Sequence, residues 1–133
     1  KEQGGHPVLI STLDHLVITV HNIEKSCTFY QTVLGLEIIS FGDGRKAIKV
    51  GDQKINLHQT GKEISPCAKH PTPGSADICF TTPKPISDYL RHLKNSGIDI
   101  ELGPVKRHGV FGAMDSVYFR DPDGNLLEVS HYL

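Results

Sequence analysis

Three things this chain lacks bound what it can be. Neither sign of charge is in excess: 14 basic and 15 acidic residues leave a net charge of −1 over 133 residues. Such a balance gives no electrostatic footprint for nucleic acid or for an anionic membrane surface. No apolar run approaches the roughly 20 residues that span a bilayer, and no stretch has the layout of a signal peptide. Cysteine is sparse, and Cys27, Cys67 and Cys79 are odd in number, scattered and without CxxC spacing. That set suits a reducing compartment rather than a disulfide framework. An intracellular, cytoplasmic protein is expected, unless an organellar targeting segment precedes these residues.

What the chain does have is a copy of itself. Leu13 to Val20 opens a strand–helix–glycine unit ending at Gly35, and Ala76 to Thr82 opens another ending at Gly97. At a constant offset of 62 residues His15 falls on Asp77, Leu16 on Ile78, Leu36 on Ile98 and Ile38 on Ile100. The ends also match when Lys54–His58 is laid on Gly124–Glu128. Either half alone is too small to bury a good core, so the two must pack together.

Each half reads as β-α-β-β-β. In the first, Leu13–Val20 alternates as a strand, and Ile23, Cys27, Tyr30 and Leu34 form one helical face that Gly35 stops. Strands follow at Glu37–Phe41, Arg45–Val50 and Lys54–Gln59, with turns at Gly42-Asp43-Gly44 and Gly51-Asp52-Gln53. In the second, strands are expected at Asp77–Thr82, Ile98–Leu102, Ala113–Arg120 and Asn125–Tyr132. Ile86, Tyr89, Leu90 and Leu93 give the helical stripe, and Lys106–Gly112 reads as a basic loop. Residues 1–11 read as a tail or docking arm, and the proline-broken Thr60–Ser75 as the linker between modules 12–60 and 75–133. The expected architecture is α+β: two tandem βαβββ modules in one domain, 12–133, forming a curled mixed sheet around a central cleft.

On the matched positions His15/Asp77 and His58/Glu128, two imidazoles and two carboxylates are set across a pseudo-twofold. That nitrogen and oxygen set suits a divalent first-row ion (Zn, Ni, Mn, Co or Fe), and two carboxylates neutralise its charge. Open positions on the ion would polarise a substrate oxygen or acidify a water. Tyr118 and Arg120 share one strand face, and with Asn56 they are the substrate-binding candidates.

The run Leu13-Asp14-His15-Leu16-Val17-Ile18-Thr19-Val20, the helix Thr28-Phe29-Tyr30 leading to Val33-Leu34-Gly35, and the ending Asp121-Pro122-Asp123-Gly124-Asn125-Leu126-Leu127-Glu128 resemble the glyoxalase/vicinal-oxygen-chelate superfamily. Lys54–Gln59 and Pro71–Asp77 are similar to its glyoxalase-domain-containing-protein-5 subgroup. The resemblance implies metal ligands at His15, His58, Asp77 and Glu128, with His58 where a glutamate is usual and Asp77 where a histidine is usual. It implies a glyoxalase-like lyase or isomerase in which Glu128 moves a proton on a small oxygenated or thiol-adduct substrate, such as a glutathione adduct. It also implies a homodimer. The competing expectations are a resistance-type transferase or dioxygenase, with Arg120 and the Lys106–His108 loop receiving a phosphonate, and a small-molecule-binding protein of the same fold without turnover.

Overall fold

Asn22 starts the first helix by accepting the Lys25 N–H on its side chain at 3.0 Å, the usual way of satisfying a free donor at a helix start. Gly35, at φ +67°, reverses the chain just beyond the helix end. The structure, a computed structural model, describes residues 5–133; Gly4 of the expected arm lies outside them. The elements are β1 (His15–Val20), α1 (Ile23–Thr32), β2 (Glu37–Phe41), β3 (Arg45–Val50) and β4 (Gln53–Gln59), then β5 (Asp77–Thr81), α2 (Ile86–Asn95), β6 (Leu102–Gly109), β7 (Gly112–Arg120) and β8 (Leu126–Tyr132).

The expected order holds in both halves, with two corrections. The strand expected at Ile98–Leu102 does not form there, β6 beginning only at Leu102. The basic stretch at Lys106 is strand, not loop: β6 and β7 form a long hairpin with Arg107 opposite Met114 and Gly109 opposite Gly112. Its charges misled because β6 is an edge strand, where exposed cations are tolerated and block further pairing.

The strands form two four-stranded sheets, ordered β1-β4-β3-β2 and β5-β8-β7-β6. In each, the first and last strands run parallel and the others antiparallel. One apolar core joins them. Ile18, Ile48, Ile55 and Leu57 of the first sheet meet Phe80, Val117, Phe119, Leu127 and Val129 of the second, with Tyr30, Tyr89 and Leu93 of the helices between. Each large side chain so buried contributes about 1.5–3 kcal/mol. Because strand side chains alternate in direction, the opposite face of each sheet is left for the polar residues.

Hydrogen bonds also tie the modules together. The buried Tyr30 hydroxyl of α1 donates to Asp121 Oδ2 at 2.6 Å, and the Tyr89 hydroxyl of α2 donates to the Val33 carbonyl at 2.9 Å. The turn between β7 and β8 is the firmest junction. Asp121 also accepts the backbone N–H of Asp123 and of Asn125 and the Asn125 amide, at 2.8–2.9 Å. Asp123 accepts the His21 backbone N–H at 2.8 Å. The linker presses on this turn at Gly74, where an added Cβ would lie 2.4 Å from the Asp123 carbonyl oxygen. No helix among the described residues is long and apolar enough to cross a membrane.

Candidate functional site

In a parallel ladder, residues level with one another share a face. His15 is level with Lys54, Val17 with Asn56 and Thr19 with His58, so all six lie on the face opposite the core. β3 adds Ala47, opposite Asn56, and Arg45 two residues before it. β2 adds Phe41, opposite Arg45. In the second sheet Asp77 is level with Leu126, Cys79 with Glu128 and Thr81 with Ser130, while Tyr118 stands opposite Glu128 and Ser116 opposite Ser130.

This register corrects the matching of the two module ends. Thr19 and Thr81 are repeat partners, so His58 corresponds to Ser130, and the counterpart of Glu128 is Asn56. The sequence matching was slipped by two residues, about 7 Å along a strand. A slip of two leaves every side chain on its original face, so alternation alone does not reveal it. No constant offset holds through to the last strand, because the second module carries extra residues, most of them before β7 and one across the β7–β8 turn.

The four expected ligands occupy the polar faces but are not gathered within one chain. Among the described residues no three His, Cys, Asp or Glu side chains converge as a metal site would require. The His15 side chain is 44% exposed, with Nδ1 2.8 Å from Asp14 Oδ2, and Asp77 is also exposed. His58 is 5% exposed, with Nε2 3.5 Å from Arg45 Nη2. Burial, and secondarily the Arg45 charge, lower its pKa and favour the neutral imidazole. A guanidinium at that distance is an unfavourable neighbour for a dication.

Glu128 has different surroundings. Its Oε2 accepts the Ser130 hydroxyl at 3.1 Å, and Ser130 in turn meets Ser116 at 2.6 Å and Cys79 Sγ at 3.3 Å. Tyr118, whose pKa is raised by burial and by its contact with Glu128, remains a neutral phenol beside the carboxylate. Arg107 Nε donates to the Tyr118 hydroxyl at 2.9 Å. The half-buried carboxylate is thus met by hydroxyls, with the nearest guanidinium bound to one of them. A carboxylate so placed suits a metal cation. Cys79, raised by burial, is held as the thiol.

The substrate candidates fare differently. Asn56 is 5% exposed, and its Oδ1 has no hydrogen-bond partner. Arg120 is tied down by Glu101, at 2.8 and 2.9 Å, and by the Gly124 carbonyl. Arg45 was missed in the sequence. The turn Gly42-Asp43-Gly44 was the available signal, because its hairpin register sets Phe41 opposite Arg45. A cavity of about 370 Å³ adjoins this region, lined by Val17, Thr19 and His58, by Pro66 and His70 of the linker and by Asp77 of β5.

The family model for the Glyoxalase/Bleomycin resistance protein/Dioxygenase superfamily matches residues 12–129. Glyoxalase domain-containing protein RDO1 of Mycosarcoma maydis is 52% identical over 132 residues, 99% of this chain and 74% of that protein. Virulence protein STM3117 of Salmonella typhimurium is 49% identical over all 133 residues and 92% of its own length. Its crystal structure superposes with a TM-score of 0.92, covering 95% of this chain and 100% of the other. A more distant relative, metallothiol transferase FosB of Shouchella clausii, is 28% identical over 126 residues, 91% of this chain and 80% of that protein.

Proposed function

Since the chain belongs to the Glyoxalase/Bleomycin resistance protein/Dioxygenase superfamily, we propose that it is a glyoxalase-like, metal-dependent lyase or isomerase working as a homodimer. Its substrate is a small oxygenated molecule or thiol adduct. The observation that carries this reading is Glu128, a half-buried carboxylate on a polar sheet face, met by hydroxyls instead of a cation. Leaving such a charge uncompensated is costly, and a divalent ion would offset it.

His15, Asp77 and Glu128 are the residues proposed to hold the ion, a first-row dication such as Zn, Ni, Mn, Co or Fe. His58 is left out because it sits two residues further along its strand, beside Arg45. Since His15 and Glu128 belong to separate sheets and do not converge in one chain, the site is completed by pairing the first module of one copy with the second module of another. Exposed Leu13, Val17 and Phe111 supply apolar surface for that pairing.

When bound, the ion polarises a substrate oxygen and acidifies the adjacent carbon. Glu128 accepts the proton from that carbon and returns it to the neighbouring one. Tyr118, neutral and anchored by Arg107, donates a hydrogen bond that keeps the carboxylate oriented. Asn56 holds the substrate from the first module.

A mixing experiment tests both the metal and the pairing. Wild-type protein should hold about one equivalent of metal per chain, measured by elemental analysis, and His15→Ala and Glu128→Ala should each lose it. Co-refolded as a mixture, the two variants should regain metal and turnover of the methylglyoxal–glutathione adduct, because a mixed dimer contains one intact site. Recovery of neither would rule out the shared site. Wild type that takes up none of the five ions would overturn the metalloenzyme reading.

A further inference from the structure

Among the described residues, two buried side-chain polar atoms lack a hydrogen-bond partner: Arg45 Nε and Asn56 Oδ1. They lie on adjacent strands of one sheet and on the same face, Ala47 being opposite Asn56 and Arg45 two residues earlier. Leaving a buried donor or acceptor unmade is expensive. Two such atoms on neighbouring strands of one face, one a donor and one an acceptor, point to an occupant that has both kinds of group.

The local charge indicates the kind of occupant. Arg45 and Lys54 flank the Phe41 ring, at 4.7 Å and 3.6 Å from its centroid. Neither cation takes part in any ion pair of the described residues. The other basic groups near the polar faces are already engaged: Lys106 with Asp115 at 2.8 Å, Arg107 with Tyr118 and Arg120 with Glu101. His58, neutral beside Arg45, adds no competing charge.

From this geometry we infer that Arg45, Lys54 and Asn56 form a receptor for a small hydroxylated oxyanion, a carboxylate or phosphonate with a hydroxyl on the neighbouring carbon. The guanidinium and ammonium receive the anion, and the Asn56 carbonyl oxygen accepts the hydroxyl. The receptor rests on the functional reading above, for it makes the substrate of that site an anion. It also places anion recognition in the first module, unlike the competing expectation in which Arg120 and the Lys106–His108 loop receive a phosphonate.

The test uses metal-free protein, so that its failure is separable from failure of the metal site. Titration with lactate, hydroxymethylphosphonate, acetate and lactamide is followed by calorimetry and by amide chemical shifts. Saturable binding of lactate or hydroxymethylphosphonate is expected, and the tighter of the two identifies the anion. Acetate, lacking the hydroxyl, should bind about tenfold more weakly, and lactamide, lacking the charge, should not bind. Arg45→Lys and Asn56→Asp should each weaken binding at least about tenfold while keeping the wild-type circular dichroism, and Arg91→Gln on α2 should change nothing. Absence of binding by both hydroxy-anions, or equal binding by wild type and Arg45→Lys, would overturn the receptor and leave the pair of buried atoms to water. Metal retained at His15 and Glu128 in that case would leave the metalloenzyme reading standing.

Discussion

The two modules share a strand order and a helix position, yet their polar faces have opposite furnishings. The first presents cations and an amide: Arg45, Lys54 and Asn56 around Phe41. The second presents hydroxyls and a carboxylate: Ser116, Ser130, Tyr118 and Glu128. Their turns diverge as well. The β7–β8 turn reaches the first module through Tyr30 and His21. The β3–β4 turn, Gly51-Asp52, borders a cavity of about 970 Å³ shared with Phe80, Thr82 and Tyr89. The core-facing sides of both sheets remain uniformly apolar. Duplication thus preserved what packing demands and let the outward faces separate into a donor half and an acceptor half.

The sharpest way to break this comparison is to remove one turn at a time. Asp121→Ala strips the buried Tyr30 hydroxyl and the Asn125 amide of their acceptor, and should cost about 3–5 kcal/mol in urea unfolding. Asp52→Ala, in the turn at the other end, should stay within about 0.5 kcal/mol. Equal losses would mean that the two junctions are alike after all.

Next in size is Gly74→Ala. A Cβ there meets the Asp123 carbonyl oxygen on a backbone with φ of +80°, and neither group is a flexible side-chain end. A loss of about 3 kcal/mol in thermal unfolding is expected, against about 1–2 kcal/mol for Gly61→Ala, where φ is also positive, at +81°, but the added Cβ meets nothing.

A smaller effect tests the charge of the first module through pH. His58 titrates lower folded than unfolded, because burial and Arg45 outweigh the opposing pull of Glu63. The unfolded chain therefore binds the extra proton first, and stability falls as pH drops below about 6.5. His58→Gln should flatten that part of the stability–pH curve; an unchanged slope would remove His58 as its source. Smallest of all, Arg120→Gln should leave KM for the substrate unchanged in steady-state assays, since that guanidinium is occupied by Glu101. A raised KM would restore Arg120 to the binding site.

Much of the fold was legible because local chemistry and packing agree. The apolar stripe of Ile86, Tyr89 and Leu93 was expected to be a helix stopped by Gly97, and α2 ends at Asn95 with Gly97 turning the chain just beyond it at φ +72°. The strand expected at Arg45–Val50 is reproduced, and the one expected at Lys54–Gln59 starts one residue earlier, at Gln53. β6 was misread because an exposed edge strand carries the charges of a loop. The site was harder to read. Which side chains share a face follows from strand parity, and in the structure His15 and Asn56 share one face, as Glu128 and Tyr118 share another. Which stand level depends on how many residues each module carries before its last strand, and there His58 was taken for the partner of Glu128. The pairing of Arg120 with Glu101 joins residues of separate segments, and no periodicity announces it.

The bond from Tyr30 to Asp121 also sets an order of events during synthesis. When the first module has left the ribosome, its sheet is complete, but the Tyr30 hydroxyl that will be fully buried has no acceptor. The His21 backbone N–H waits in the same way for Asp123. Both partners lie in the turn before β8, which is translated after nearly all of the second module. The early half is therefore held open, with apolar residues of α1 uncovered, until that turn arrives. Domains commonly complete themselves from the N-terminus onward; in this chain the last turn made closes the first half.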